Sequence, residues 1–155
     1  MNLHQRQAIN TFTTHLIQNR NAHPEANKVL IAPDPSATTL AQELTQLGFE
    51  IEEIPSSKDL RFLSPPKESY AGIWSGETWP NYPIDDAQRI LAIYFQTLKP
   101  KTGVIFAATQ LTGEKQSYSE KAFGSLVRQS GFQILIQAKR EDQGTEWMGW
   151  ILKRI

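Results

Sequence analysis

Apolar residues recur every three or four positions in four stretches of the chain, which is the spacing of amphipathic helices. These stretches are residues 3–20, 37–47, 85–98 and 122–127. Gly48, Pro100 and Gly131 follow three of them, and glycine and proline are the residues that commonly end a helix. Ser117 and Glu120 have the spacing of a capping box, which predicts the start of the fourth helix.

Short apolar or alternating runs lie between the helical stretches and are typical of strands. They are residues 28–32, 49–54, 70–76, 103–110, 132–140 and 146–155. The turn at 142–144 predicts that the last two runs form an antiparallel hairpin. Strict alternation then places Phe132, Ile134 and Ile136 on one side of the sheet and Leu135 on the other.

The order of these elements predicts an α/β fold. Strands that alternate with helices form a mainly parallel sheet with helices on both faces, here closed by the antiparallel hairpin. Residues 55–69 are rich in turn formers and too few for a helix and a strand together. One strand and its helix are therefore predicted to be short or missing. We expect one domain over 1–155, with an N-terminal helix and linker at 1–27 and an α/β core at 28–155.

Composition narrows the possible partners. The chain has 16 basic and 16 acidic residues and a formal net charge of zero, so neither nucleic acid nor an anionic membrane is expected. It has no cysteine, which excludes a thiolate metal site and a cysteine nucleophile. His4, His15 and His23 lack the spacing of metal ligands, so no metal is expected.

No apolar run approaches the ~20 residues that cross a bilayer, and the first twelve residues are too polar for a secretory signal. These two observations favour a cytoplasmic protein. Mean hydropathy is −0.43, which agrees with that expectation.

The stretch "IAPDPSATT", residues 31–39, connects a strand to a helix, where many α/β proteins hold a nucleotide. Such loops are usually rich in glycine, because glycine lets the backbone approach the ligand closely. Pro33 and Pro35 have no N–H group and fix the backbone instead. A rigid connection with Asp34 or Ser36 as helix N-cap is favoured here over a working cofactor loop.

The segment "WSGETWPNYP" follows the apolar strand at 70–76, at the sheet edge where open α/β sheets bind ligands. It makes Trp74, Trp79 and Tyr82 candidates for stacking on a flat substrate, and Glu77 a candidate catalytic base. The alternative is that these aromatic side chains only cover the edge of the sheet.

Residues 64–155 resemble the C-terminal half of class I S-adenosylmethionine (SAM) dependent methyltransferases. The resemblance rests on "ESYAGIWSG", a helix, "LKPKTGVIFAA", then "YSEKAFGSLVRQSGFQIL" and the closing hairpin. Leu98, Lys99 and Pro100 match the family's "LKPGG", whereas Lys101 and Thr102 stand at its first glycine. The resemblance implies a Rossmann-like sheet of strand order 3-2-1-4-5-7-6 in the family's numbering, with the third strand and its helix shortened or missing.

The N-terminal half departs from the family pattern, which reads roughly "VLDLGCGPG" at the first strand and loop. Pro33, Pro35 and Ala37 replace the three glycines, and Pro55 stands where the family has an acid for the ribose. If a SAM site is retained, the resemblance implies a particular set of cofactor-binding residues. This set is Ala32, Asp34, Ser36, Glu53, Asp59 and Ser75.

Two functions remain open at this point. The first is a SAM-dependent methyltransferase of unknown acceptor with a degenerate, methyltransferase type 11-like cofactor site. The second is a non-catalytic protein of the same fold that acts as a protein partner, a scaffold or a homodimer. The proline substitutions predict that residues 31–39 do not bind SAM.

Overall fold

The computed structural model describes residues 2–113 and 116–155. Four α-helices are described: α1 (Leu3–Ala22), α2 (Ala37–Gln46), α3 (Ile84–Thr97) and α4 (Glu120–Gln129). Six strands are described: β1 (Lys28–Ile31), β2 (Glu50–Glu53), β3 (Gly72–Gly76), β4 (Val104–Gln110), β5 (Phe132–Asp142) and β6 (Thr145–Arg154). Within the described residues, no helix is long and apolar enough to cross a membrane.

The six strands form one sheet in the order β2-β1-β3-β4-β6-β5. The first four are mutually parallel, and β6 pairs antiparallel with both β4 and β5. This is the predicted order with the family's third strand missing. Residues 55–69 contain one turn of 3₁₀ helix at Leu60–Phe62 and no α-helix, which confirms the shortened middle.

Helices cover both faces of the sheet. Helices α1 and α2 pack on one face through Ile9, Phe12, Leu16, Leu40 and Leu44. Helices α3 and α4 pack on the other through Ile90, Leu91, Tyr94, Phe123 and Val127. The architecture is therefore the doubly wound α/β sheet that the alternation of elements predicts.

The side-chain alternation expected in β5 is wrong at one point. The register shifts between Ile134 and Ile136: Ile134 lies opposite Leu152, and Ile136 lies opposite the adjacent Ile151. The extra residue, Leu135, is a bulge and is 36% exposed. A bulge reverses the faces beyond it. Ile134 therefore packs on the α3 and α4 face, while Ile136 packs on the α1 and α2 face.

The capping residue of α4 also differs from the expectation. The hydroxyl of Ser119, rather than that of Ser117, accepts a hydrogen bond from the backbone N–H of Ala122 at 3.1 Å. The capping-box spacing favoured Ser117, because Glu120 follows it by three residues, whereas the residue three positions after Ser119 is Ala122.

Lys101 has a φ of 67°, in the left-handed region that glycine adopts without strain. Together with Thr102 it stands at the first glycine of the motif "LKPGG", and its backbone has a conformation that suits glycine. We expect Lys101→Gly to raise the free energy of unfolding by about 0.5–1 kcal/mol, since it removes a left-handed strain of about 1–2 kcal/mol at some entropic cost. Urea denaturation measures this, with Lys101→Ala as the control that should give no gain.

Candidate functional site

The order in which strands are added to the sheet reverses between β1 and β3, since β2 lies on one side of this pair and β4 on the other. These strands are neighbours, and the segment after β1 leads to α2 on one face while the segment after β3 leads to α3 on the other. Such a point leaves a crevice between the two loops, which is where open α/β sheets bind ligands. We call the space between residues 32–36 and 77–81 the crevice.

The carboxylate of Asp34 lies in this crevice and accepts three hydrogen bonds. Its Oδ1 accepts from the backbone N–H of Ser36 at 3.0 Å and from the indole Nε1 of Trp74 at 3.1 Å. Its Oδ2 accepts from the backbone N–H of Glu77 at 3.1 Å. One side chain of the protein thus joins the loop after β1 to the end of β3 and to the loop that follows it.

Gly76 makes this arrangement possible. Its φ is 53°, and a Cβ atom placed on it would lie 2.0 Å from Oδ2 of Asp34 and 2.7 Å from Nε1 of Trp74. No side chain fits at this distance, so glycine at position 76 is required for the carboxylate to reach its donors. The absence of a side chain at Gly76 thus lets the carboxylate of Asp34 lie against the backbone.

The loop after β1 has few free donors. Pro33 and Pro35 have no N–H. The N–H of Ala32 donates to the carbonyl of Trp74 at 2.8 Å, and that of Ala37 donates to the carbonyl of Asp34 at 3.2 Å. Ser36 occupies the N-cap position of α2, but its side chain makes no capping hydrogen bond.

Glu77 lies beside Asp34, and its side chain is 15% exposed. The amide of Gln5, at the start of α1, approaches it at 3.4 Å, and Nη2 of Arg140 on β5 lies 3.6 Å from it. A cavity of about 340 Å³ opens over these two acids and is walled by Pro33, Pro35, Pro80 and Trp147, among other residues. Glu77 is therefore the predicted site residue that faces this cavity together with Asp34.

Burial dominates the electrostatics of both acids. Desolvation raises the pKa of Asp34, and the hydrogen bonds from Trp74, Glu77 and Ser36 oppose it. Desolvation also raises the pKa of Glu77, against the attraction of Arg140, and the charge of Asp34 adds to the rise. The two carboxyls thus share an environment that disfavours two negative charges.

This predicts a pH dependence that can be assigned to Asp34. A carboxyl whose pKa is higher in the folded state than in the unfolded state stabilises the folded protein at a pH below its unfolded pKa of about 3.9. That stabilisation is lost as the pH rises through the folded-state pKa. The free energy of unfolding of the protein, relative to Asp34→Asn, should therefore fall as the pH rises from about 4 to 7. Urea denaturation at several pH values measures the difference, and a difference that grows with pH contradicts the assignment.

Trp74 and Trp79, the predicted stacking residues, are each 1% exposed. Trp74 stacks on Phe106 with ring centroids 4.3 Å apart. Trp79 donates to the hydroxyl of Ser75 at 3.0 Å and packs edge-on against Phe123. Their rings are enclosed in the core at the sheet edge, so neither presents an open face to the cavity.

Tyr82 is half-buried and also makes internal contacts. Its hydroxyl accepts the backbone N–H of Leu60 at 3.0 Å, and its carbonyl accepts from the hydroxyl of Tyr118. Tyr82 thereby joins the short 3₁₀ turn at Leu60–Phe62 to the start of α3.

Of the remaining predicted cofactor residues, Ala32 and Ser36 belong to the loop that bounds the crevice but are buried, whereas Glu53 and Asp59 lie outside that loop. Ala32, Ser36 and Ser75 are at most 1% exposed, and the hydroxyl of Ser75 donates to the carbonyl of Phe106. Asp59 is held by Arg61 at 2.7 Å, whose hydrogen bonds lower the pKa of that carboxyl. Glu53 is exposed at the end of β2 and lines a separate depression with Pro55.

Gln5 and Arg140 complete the surroundings of Glu77, and the sequence did not indicate either of them. They come from opposite ends of the chain, on α1 and β5, so no local motif connects them to the strand at 70–76. Their contacts depend on the fold alone. Within 2–113 and 116–155, no group of three histidine, cysteine or acidic residues could hold a metal ion.

No family model matches the sequence, and no curated protein matches it in a sequence search. Solved structures do match. Magnesium protoporphyrin IX methyltransferase of Synechocystis PCC 6803, with bound SAM, superposes with a TM-score of 0.66 at 11% identity, over 98% of this chain and 80% of that one. The 1,6-didemethyltoxoflavin-N1-methyltransferase of Burkholderia thailandensis gives 0.68 at 13% identity, over 97% and 77%.

A SAM-dependent methyltransferase of Clostridium acetobutylicum covers 92% of this chain and 90% of its own, with a TM-score of 0.60 and 11% identity. These likenesses span both halves of the chain, including the N-terminal half in which the sequence motifs depart from the family. The identities are low, so they establish architecture and not chemistry. The chain is therefore a divergent protein with the fold of the class I SAM-dependent methyltransferases.

Proposed function

We propose that this protein is a non-catalytic member of the methyltransferase fold, in which the side chain of Asp34 occupies the hydrogen-bond donors at the crevice. The observation that carries the proposal is the carboxylate of Asp34, which lies against Gly76 and accepts hydrogen bonds from Ser36, Trp74 and Glu77. The backbone N–H groups of Ser36 and Glu77 and the indole N–H of Trp74 are thus satisfied internally.

These residues do not fit SAM. SAM carries a carboxylate of its own, which needs donors, and the two prolines at 33 and 35 supply none. Just after β2, Pro55 has no side-chain acceptor for the ribose hydroxyls. We therefore derive no methyl transfer at this site.

The second candidate function is SAM-dependent methylation of an unknown acceptor. It is favoured by the likeness in fold to proteins solved with bound SAM or S-adenosylhomocysteine. It requires the side chain of Asp34 to leave its three donors and the loop to accept a ligand over Pro33.

Calorimetric titration with SAM separates the two functions. The proposal expects no saturable heat at SAM concentrations up to about 1 mM, which corresponds to a binding free energy weaker than about 4 kcal/mol. A variant with Pro33→Gly, Asp34→Gly, Pro35→Gly, Ala37→Gly and Pro55→Asp tests the cause, since recovered binding would assign the loss to these positions. Saturation of the unchanged protein at micromolar SAM overturns the proposal.

A non-catalytic protein of this fold acts through its surface, and we propose a protein partner or a second copy of the chain as what it binds. The formal net charge of zero supports a partner that is neither nucleic acid nor an anionic membrane. Light scattering over a tenfold range of protein concentration tests the homodimer. A constant monomer mass rejects the dimer and leaves the partner protein as the proposal.

A further inference from the structure

A groove runs along α1 where this helix crosses the outer part of the sheet. Its volume is about 370 Å³, within the range of small-molecule sites. Its apolar wall is formed by Ala8, Phe106, Ile136, Ala138, Gly149 and Ile151. We call this space the α1 groove. It lies on the face of β5 and β6, whereas the crevice lies at the strand ends.

Arg140 lines the α1 groove and is a buried cation with few partners. Its side chain is 9% exposed, and its Nε is enclosed without an acceptor among the described residues. The nearest carboxylate is that of Glu77, whose Oε1 lies 3.6 Å from Nη2, beyond ordinary hydrogen-bond length. A guanidinium has five N–H donors, and leaving them unmet in the interior is costly.

The surroundings of Arg140 fix its orientation. Its guanidinium carbon lies 5.6 Å from the ring centroid of Trp147, its partner across the hairpin. Glu77 is itself held by Gln5 of α1. The guanidinium therefore lies between an aromatic ring and a carboxylate that does not saturate it.

Gly149 widens the groove beside Arg140. A Cβ atom on Gly149 would lie 3.6 Å from Phe106 and 3.7 Å from the carbonyl of Ala138, which is ordinary contact distance. The strand conformation therefore accepts a side chain at this position, and that side chain would occupy groove volume. Glycine in a strand interior often marks a place where a ligand approaches closely.

We propose that the α1 groove binds a small organic carboxylate with an apolar body, anchored by Arg140. The planar guanidinium has paired N–H donors that match the two oxygens of a carboxylate, and Glu77, 3.6 Å from Nη2, does not hold them within hydrogen-bond length. The aliphatic and aromatic wall receives the body of the ligand. His4 lies at the same groove and adds a nitrogen donor or acceptor there. This inference stands on the groove and Arg140, and it does not require that SAM be absent from the crevice.

The test uses the full chain and two probes of the same shape, 2-naphthoate and its uncharged isostere 2-naphthamide. Calorimetry should give micromolar binding for the acid and at least tenfold weaker binding for the amide. Amide resonances of Ala138 and Gly149 should shift, while those of Asp34 and Gly76 should not. Equal affinity for both probes, no binding of the acid at about 1 mM, or shifts centred on residues 32–36 would each overturn the proposal.

Three variants separate recognition from folding. Arg140→Gln should weaken binding of 2-naphthoate by roughly ten- to a hundredfold, the effect of losing a charged hydrogen-bonded pair. Gly149→Val fills the groove and should abolish binding of both probes while Arg140 remains. Glu77→Gln removes the competing carboxylate and should strengthen binding of the acid alone. A Glu77→Gln variant that binds the acid more weakly contradicts the role given to Arg140.

Discussion

Gly76→Ala should lower the free energy of unfolding by about 2.5–5 kcal/mol, which is about a 10 °C loss in melting temperature for a domain of this size. Two costs add in this change. A left-handed φ of 53° disfavours alanine by about 1–2 kcal/mol. The new methyl group also collides with the carboxylate of Asp34, whose charged hydrogen bonds are worth about 1.5–3 kcal/mol.

The double variant Asp34→Ala, Gly76→Ala is the control for this prediction. Without the carboxylate, the methyl group no longer meets Asp34 but still lies 2.7 Å from Nε1 of Trp74, so the second substitution should cost the backbone strain and a shift of that indole. The two changes should therefore be non-additive by about 1.5–3 kcal/mol in a double-mutant cycle measured by urea denaturation. Additive effects would mean that Asp34 does not lie against Gly76 in solution.

Trp79→Ala should lower the free energy of unfolding by about 3–5 kcal/mol, the usual cost of truncating a buried aromatic side chain. Trp79 is 1% exposed and packs edge-on against Tyr94 and Phe123. Its indole N–H also donates to the hydroxyl of Ser75. Trp79, which the sequence predicted to stack on a substrate, is thus expected to stabilise the folded protein.

Trp79→Phe is the matched variant, since it keeps most of the ring contacts and removes the donor. It should cost about 1–3 kcal/mol, the range for leaving a buried polar group unpaired. Thermal unfolding followed by circular dichroism measures both variants. A Trp79→Ala protein that is as stable as the unchanged chain would show that the ring is exposed and free to contact a ligand.

Most of the fold could be predicted from periodicity, because each helix and strand carries its own hydrophobic pattern. The missing third strand followed from the length of residues 55–69, which is a local property of the chain. The bulge at Leu135 could not be predicted, since "FQILIQ" has the same alternation with or without it. The face of the sheet on which the residues after Leu135 lie depends on how β5 pairs with β6, which is a tertiary interaction.

The candidate site was predictable in position but not in arrangement. The departures at Pro33 and Pro35 indicated that the loop after β1 had lost its donors. The role of Asp34 as the group that occupies the donors at the crevice depends on Trp74, forty residues later, and on the absence of a side chain at Gly76. Aromatic residues in "WSGETWPNYP" are equally compatible with a ligand platform and with a core, and only packing distinguishes these roles.

The indole N–H resonance of Trp74 reports most directly on whether the crevice is closed. Trp74→Phe assigns it among the four indoles of the chain. If Asp34 holds its donors, adding SAM to about 1 mM should leave this resonance and the amide of Glu77 unchanged, because no ligand displaces the carboxylate. A saturable shift of both resonances with a micromolar midpoint would show that SAM displaces Asp34, and it would contradict the account of a methyltransferase fold closed to its cofactor.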